Sequence, residues 1–137
     1  MEKSMLLIIE DNLDLVELYK MALSLIQICP EVAVTGPAAL RRIEQPDAPA
    51  PDLTILDLHL RGENGVEVNG ADLFDRMRVC WPNTKIIVSS ADIDWCRKFQ
   101  GVAEMVIEKP IVDMSLFLKD VQGMLDSGKS SMESCPR

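Results

Sequence analysis

No stretch of this sequence is both long enough and apolar enough to span a membrane, and neither end carries a convincing targeting signal. Met5-Leu6-Leu7-Ile8-Ile9 follows a short charged start but stops at Glu10-Asp11 rather than at a small-residue cleavage site, so it reads as a strand. The four cysteines include no pair at two- or three-residue spacing, which removes the sequence signal for a zinc knuckle or a thiol redox pair. Cys29, Cys80 and Cys96 are expected as small buried hydrophobes, and Cys135, near the polar end, as an exposed thiol. Basic residues are outnumbered, 14 against 22 acids, and the net charge of -8 opposes nonspecific attraction to nucleic acid or an anionic membrane surface. No direct nucleic-acid or membrane partner is therefore expected. The apolar blocks share no fixed period, which excludes a repeat architecture.

What is present is enough for one domain and not for a second of any size. The chain has 137 residues, 47% of them apolar and 26% charged, so it can bury a core without a partner. Leu6 to Ile9 is continuously apolar and ends in two acids, as a strand covered on both faces does where its C-terminal end meets solvent. The period then changes: Leu15, Leu18, Ala22, Leu25 and Ile26 predict a helix with one apolar stripe. Val32-Ala33-Val34 reads as a short strand, and Gly36-Pro37 opens a second helix around Leu40 and Ile43. Pro46, Pro49 and Pro51 make a connector.

Asp52 to Leu60 is a buried strand interrupted by Asp57, and a carboxylate there is costly unless it sits at the strand's open end or beside a cation. A Gly- and Asn-containing stretch from Arg61 to Gly70 leads to a helix bearing Leu73, Phe74 and Met77. Lys85 to Val88 is the next strand, ending in Ser89-Ser90, and Ile93 to Gln100 is long enough for about two helical turns. Met105 to Ile107 is the last strand. The last helix carries Leu116, Phe117, Val121 and Leu125 along one side, and from Asp126 onward Ser, Gly and charge predict a frayed tail. Strands alternating with helices in this way predict an α/β doubly wound parallel sheet with helices on both faces, whose ligands bind outside the carboxyl ends of the strands.

At those ends stand Glu10 and Asp11 after the first strand, Asp57 late in the third, Ser90 after the fourth and Lys109 after the fifth. Three carboxylates in mutual reach hold one another's pKa values up unless a divalent cation neutralises them, and an all-oxygen donor set suits Mg²⁺ that also meets phosphate oxygens. Lys109 offers a point charge for a phosphoryl oxygen, Ser90 a hydroxyl, and Asp57 a nucleophilic carboxylate.

With these residues in place the sequence resembles a response regulator receiver domain, the phosphoacceptor half of two-component signalling. The matching elements are Ile8-Ile9-Glu10-Asp11-Asn12, Pro51 to Leu58, Ile86 to Ala91, and Glu108-Lys109-Pro110, over roughly residues 5 to 126. The resemblance implies a stand-alone, chemotaxis-regulator-like receiver over residues 1–126, with a flavodoxin-like strand order 2-1-3-4-5 and a flexible tail over 127–137. It implies that Asp57 accepts a phosphoryl group from a phosphohistidine on a histidine kinase or histidine phosphotransfer protein. Glu10, Asp11, Asp57 and the backbone carbonyl of His59 would hold Mg²⁺. Ser90 would follow the phosphoryl group, Lys109 would bridge carboxylate and phosphate, and the Lys109-Pro110 peptide would be cis. The protein would catalyse its own Mg²⁺-dependent phosphorylation and dephosphorylation in the cytoplasm, and signal by contact with a downstream protein target as a monomer or a weak phosphorylation-dependent dimer.

Several positions depart from the family pattern. Val106 stands where members usually carry an aromatic or His, Arg61 replaces a common proline four residues after the acceptor, and the interval from Ser90 to Lys109 is about one helical turn short. The link from Asp57 to its helix is longer, with Gly70 rather than Gly65 fitting the helix-opening role. An enlarged loop there is expected to select a kinase, to limit water access, or to be a tolerated insertion. His59 tunes phosphate lifetime or is an ordinary exposed imidazole. Trp81 and Trp95 are expected to cover helix edges, with a partner interface the better account if Trp95 or Phe99 is exposed. Two rivals differ in class. A small metal-dependent phosphatase would use the same acid-lysine chemistry, and a phosphorylation-independent binding module would keep the fold without the chemistry.

Overall fold

The computed structural model describes residues 4–134, with side chains to residue 126. Its elements alternate as the sequence predicts: β1 (Leu6–Ile9), α1 (Leu13–Ser24), β2 (Glu31–Ala33), α2 (Gly36–Ile43), β3 (Leu53–Asp57), α3 (Gly70–Cys80), β4 (Lys85–Ser90), α4 (Ile93–Phe99), β5 (Met105–Glu108) and α5 (Met114–Ser134). The five strands form one parallel sheet in the order β2-β1-β3-β4-β5.

Alternation along the central strands sends side chains into two apolar layers. Leu6 and Ile8 of β1 and Leu53 and Ile55 of β3 pack with Tyr19 and Leu23 of α1 and Phe117, Val121 and Leu125 of α5. Leu7, Ile9 and Leu56 pack on the other side with Ile43, Leu73, Phe74, Met77, Trp81 and Phe99, from α2, α3, the turn after α3, and α4. Because the inner strands are covered on both faces, they read as continuous apolar runs rather than alternating ones.

Each helix starts on a side-chain cap, soon after the preceding strand for all but α3, which follows β3 after a longer link. Asn12 accepts from the Asp14 and Leu15 amides, Thr35 from Ala38, Asn69 from Asp72, and Asp92 from Asp94 and Trp95. Asp113 accepts from the Leu116 amide at 3.0 Å. These caps satisfy amide groups that the helices leave free, and they fix the loops at the carboxyl edge of the sheet.

Several expectations are corrected. The buried residues of α1 are Val16, Tyr19, Ala22 and Leu23; Leu18 and Leu25, expected in the stripe, are exposed. Leu116 is 54% exposed while its neighbour Phe117 is 3% exposed, so the inward face of α5 is narrower than predicted. Val34 lies beyond β2. Of the described cysteines only Cys96 is buried: Cys29 is exposed just before Pro30, and Cys80 is half-buried at the end of α3, where Trp81 takes the core position. Cys135 lies outside the described residues. Trp81 is a core side chain rather than a helix-edge cover, and Phe99 is also buried. α5 is described from Met114 to Ser134.

Candidate functional site

The reversal of strand order about β1 places the carboxyl ends of β1 and β3 side by side, beside a crevice of the kind where such sheets bind ligands. Glu10 follows the last residue of β1, and its amide donates to the Ala33 carbonyl at 3.1 Å, continuing the β1–β2 pairing. Its side chain is 2% exposed. One carboxylate oxygen accepts from the Asn12 amide at 3.2 Å, the other from Lys109 Nζ at 2.8 Å. Asp57 closes β3 and is also buried; its Oδ1 accepts from the His59 amide at 3.1 Å and lies 3.4 Å from Lys109 Nζ. Asp11 is half-buried, with Oδ2 accepting from the Arg61 amide at 3.0 Å. Carboxylate oxygens of Glu10, Asp11 and Asp57 all lie within 4.8 Å of one another.

Lys109 reaches this cluster from just beyond β5. Its amide donates to the Ser90 carbonyl at 2.8 Å, and the peptide bond to Pro110 is cis, as the resemblance implies. One ammonium thus serves two buried carboxylates. Burial pushes Glu10 up to about 7 despite Lys109, with the Asp57 charge adding to the rise. Burial also raises Asp57, opposed first by the His59 amide and then by Lys109. Loss of water, rather than the mutual repulsion expected of three neighbouring acids, is the larger cause of both rises. The donor set fits a hard divalent cation: it is all oxygen, and three carboxylates face the single ammonium of Lys109.

The remaining predicted residues are placed as follows. Ser90 is fully buried at the end of β4, but its hydroxyl accepts from the Asp92 amide at 3.0 Å rather than meeting Asp57. His59 touches Asp57 through its amide, while its exposed imidazole stands edge-on to half-buried Trp95, with ring centroids 6.5 Å apart. Val106 packs against the α2–α3–α4 layer. Gly70 does open α3: a Cβ there would lie 2.4 Å from Leu58 Cα and 2.7 Å from the Asp57 carbonyl oxygen, so a side chain would collide with the backbone that carries Asp57.

Sequence reasoning misses two hydroxyls beneath the acids. Tyr19 and Ser89 are fully buried with their hydroxyls near each other, and neither makes a hydrogen bond of good geometry among the described residues. Ser89 pairs in register with Asp57, and the charges of Glu10 and Asp57 add to burial in raising the Tyr19 phenol. A tyrosine in a helical stripe carries no signal that separates it from ordinary core.

The family model described as the response regulator receiver domain matches residues 6–121, and the chain belongs to that family. Solved structures agree with the fold. The signal receiver domain of a protein described as a LuxO repressor, from Vibrio parahaemolyticus, is 26% identical with a TM-score of 0.77, and the match covers 95% of each chain. A CheY-like receiver domain protein from Methanospirillum hungatei is 20% identical with a TM-score of 0.78, covering 95% of this chain and 99% of the other. The response regulator TrrA from Thermotoga maritima, in complex with Mg²⁺-BeF, is 20% identical with a TM-score of 0.74, over 89% of this chain and 99% of the other. No curated protein sequence matches the chain at a meaningful level. Among the described residues, no helix is long and apolar enough to cross a membrane.

Proposed function

We propose that the protein is a phosphoacceptor of a two-component system or phosphorelay, that Asp57 receives the phosphoryl group, and that Mg²⁺ is the resident cation. The observation that carries this reading is the single ammonium of Lys109 set between buried Glu10 and Asp57, with Asp11 beside them. Glu10, Asp11, Asp57 and the His59 carbonyl would hold Mg²⁺, which when bound supplies positive charge to the phosphoryl oxygens. The Thermotoga relative in complex with Mg²⁺-BeF supports the choice of ion.

The donor is a phosphohistidine on a histidine kinase or histidine phosphotransfer protein. A carboxylate oxygen of Asp57 attacks phosphorus, the phosphorus–nitrogen bond of the phosphohistidine breaks, and its electron pair leaves with the imidazole, which takes up a proton. Lys109 moves from sharing its charge between two carboxylates to stabilising the transferring oxygens, and no side chain acts as a strong base. An open cleft bordered by Leu15, Leu18, Lys109 and Ile111 gives the donor protein an apolar footing beside the acceptor. Ser90 must exchange the Asp92 amide for the phosphoryl group if its hydroxyl is to report phosphorylation to a downstream protein.

The site of transfer can be mapped directly. The protein is incubated with Mg²⁺ and phosphoramidate, a small donor with the same phosphorus–nitrogen bond, then reduced with borohydride, which turns an aspartyl phosphate into homoserine. Peptide mass spectrometry is expected to find homoserine at position 57 alone. Homoserine at another acid would overturn the assignment of Asp57. Release of phosphate with no trapped intermediate and many turnovers would favour the phosphatase reading, and no reaction would favour a phosphorylation-independent binding module.

A further inference from the structure

The connection between β3 and α3 is built, not slack. Glu63 and Val66 form an antiparallel bridge, with the Glu63 amide donating to Val66 at 2.9 Å and the Val66 amide to Glu63 at 2.8 Å. Asn64 and Gly65 between them have φ of 51° and 78°, the pair of left-handed residues that a two-residue hairpin turn needs. This hairpin is fastened to the start of α2. The Thr35 hydroxyl, which also caps α2, donates to the Glu63 carboxylate, and Arg41 reaches both Glu63 oxygens at 3.2 Å. These partners, Thr35 first, hold Glu63 below the usual carboxylate range, so it stays ionised. The Gly36 amide donates to the Arg61 carbonyl at 3.0 Å, and a Cβ on Gly36 would come within 2.1 Å of the Val68 carbonyl oxygen. Only glycine allows α2 to sit this close to the loop.

The backbone of Arg61 is therefore held from both sides. Its carbonyl is tied to α2, and its N–H donates to Asp11 Oδ2 at 3.0 Å. The contact with the acid is made by the backbone. The family's common proline at this position has no N–H to give.

We propose that the loop from Arg61 to Val68 is a positioning element for the cation site, in which the Arg61 N–H orients the Asp11 carboxylate toward Glu10 and Asp57. This rests on the reading of Glu10, Asp11 and Asp57 as cation ligands and adds to it a support that runs back to α2. Carboxylates that bind metals are themselves held by hydrogen bonds from outside the coordination shell, and loss of such a partner typically weakens binding about 10- to 100-fold.

The test is Mg²⁺ titration of the full chain by isothermal titration calorimetry, with no phosphodonor present. Arg61→Pro removes the N–H and is expected to weaken Mg²⁺ binding by about 10- to 100-fold. Arg61→Ala, which keeps the N–H, is expected to recover wild-type affinity. Glu63→Ala frees the hairpin from Thr35 and Arg41 and is expected to weaken binding less than the proline does. Thermal melts in chelator establish that each variant folds; if Arg61→Pro does not, weakened binding in Glu63→Ala supports the inference and wild-type affinity there overturns it. Wild-type affinity in Arg61→Pro would overturn the inference, as would an Arg61→Ala variant as weak as the proline one. Wild-type protein that binds no Mg²⁺ would instead overturn the cation reading, and this inference with it.

Discussion

Glu10 has a carboxyl raised from 4.5 to about 7 by burial beside Asp57. The folded protein therefore holds this proton more tightly than the unfolded chain does. Between those two values the folded state binds more protons, so stability falls as pH rises. The contribution is fully present below about 4.5 and is lost as pH passes about 7. Asp57 is raised too and acts in the same sense. In chelator, melting followed by circular dichroism should shift downward between about pH 5 and pH 8. Glu10→Gln should flatten that slope, and Mg²⁺ should restore stability at the upper end by binding the folded state alone. A melting temperature that climbs over the same range in chelator would contradict this account of the acids. Arg61 shows why part of the site stays hidden from sequence. Its contact with Asp11 is made by an amide that every residue except proline carries, so the side-chain pattern cannot announce it.

The strands were easier to read than the faces of the helices. β1, β3 and β4 are short apolar runs that end in polar residues, a pattern imposed by burial on both faces and exposure at one end. α1 carries apolar residues around most of its circumference, so several stripes fit its sequence and packing selects Val16, Tyr19 and Leu23. At the start of α5, Leu116 and Phe117 pose the same ambiguity, and the structure turns only Phe117 against Tyr19, at 5.4 Å between ring centroids. Phe117→Ala should cost about 3–5 kcal/mol in chemical denaturation. Leu116→Ala should stay within about 0.5 kcal/mol, as exposed substitutions usually do. Equal costs would show that the phase of α5 is wrong. The hairpin in the long β3–α3 connection had a readable mark, since Asn64-Gly65 is a strong two-residue turn signal. Its fastening to Thr35 and Arg41 had none.

Across the whole molecule, residues 10, 11, 57 and 109 meet because a parallel sheet brings all its strand ends to one edge. Acids and a lysine placed directly after apolar strands were enough to locate the site once the architecture was known. At the same edge the Ser90 hydroxyl faces the Asp92 amide and the His59 imidazole turns to Trp95. Those choices depend on loops whose paths no periodicity records. The central claim, that these converging groups make Asp57 a phosphoacceptor, is tested most directly by intact-protein mass spectrometry after incubation with acetyl phosphate, with and without Mg²⁺, beside Asp57→Asn. The account predicts a single addition of about 80 Da that requires Mg²⁺ and is absent from the variant. No addition, or one that persists in Asp57→Asn, would contradict it.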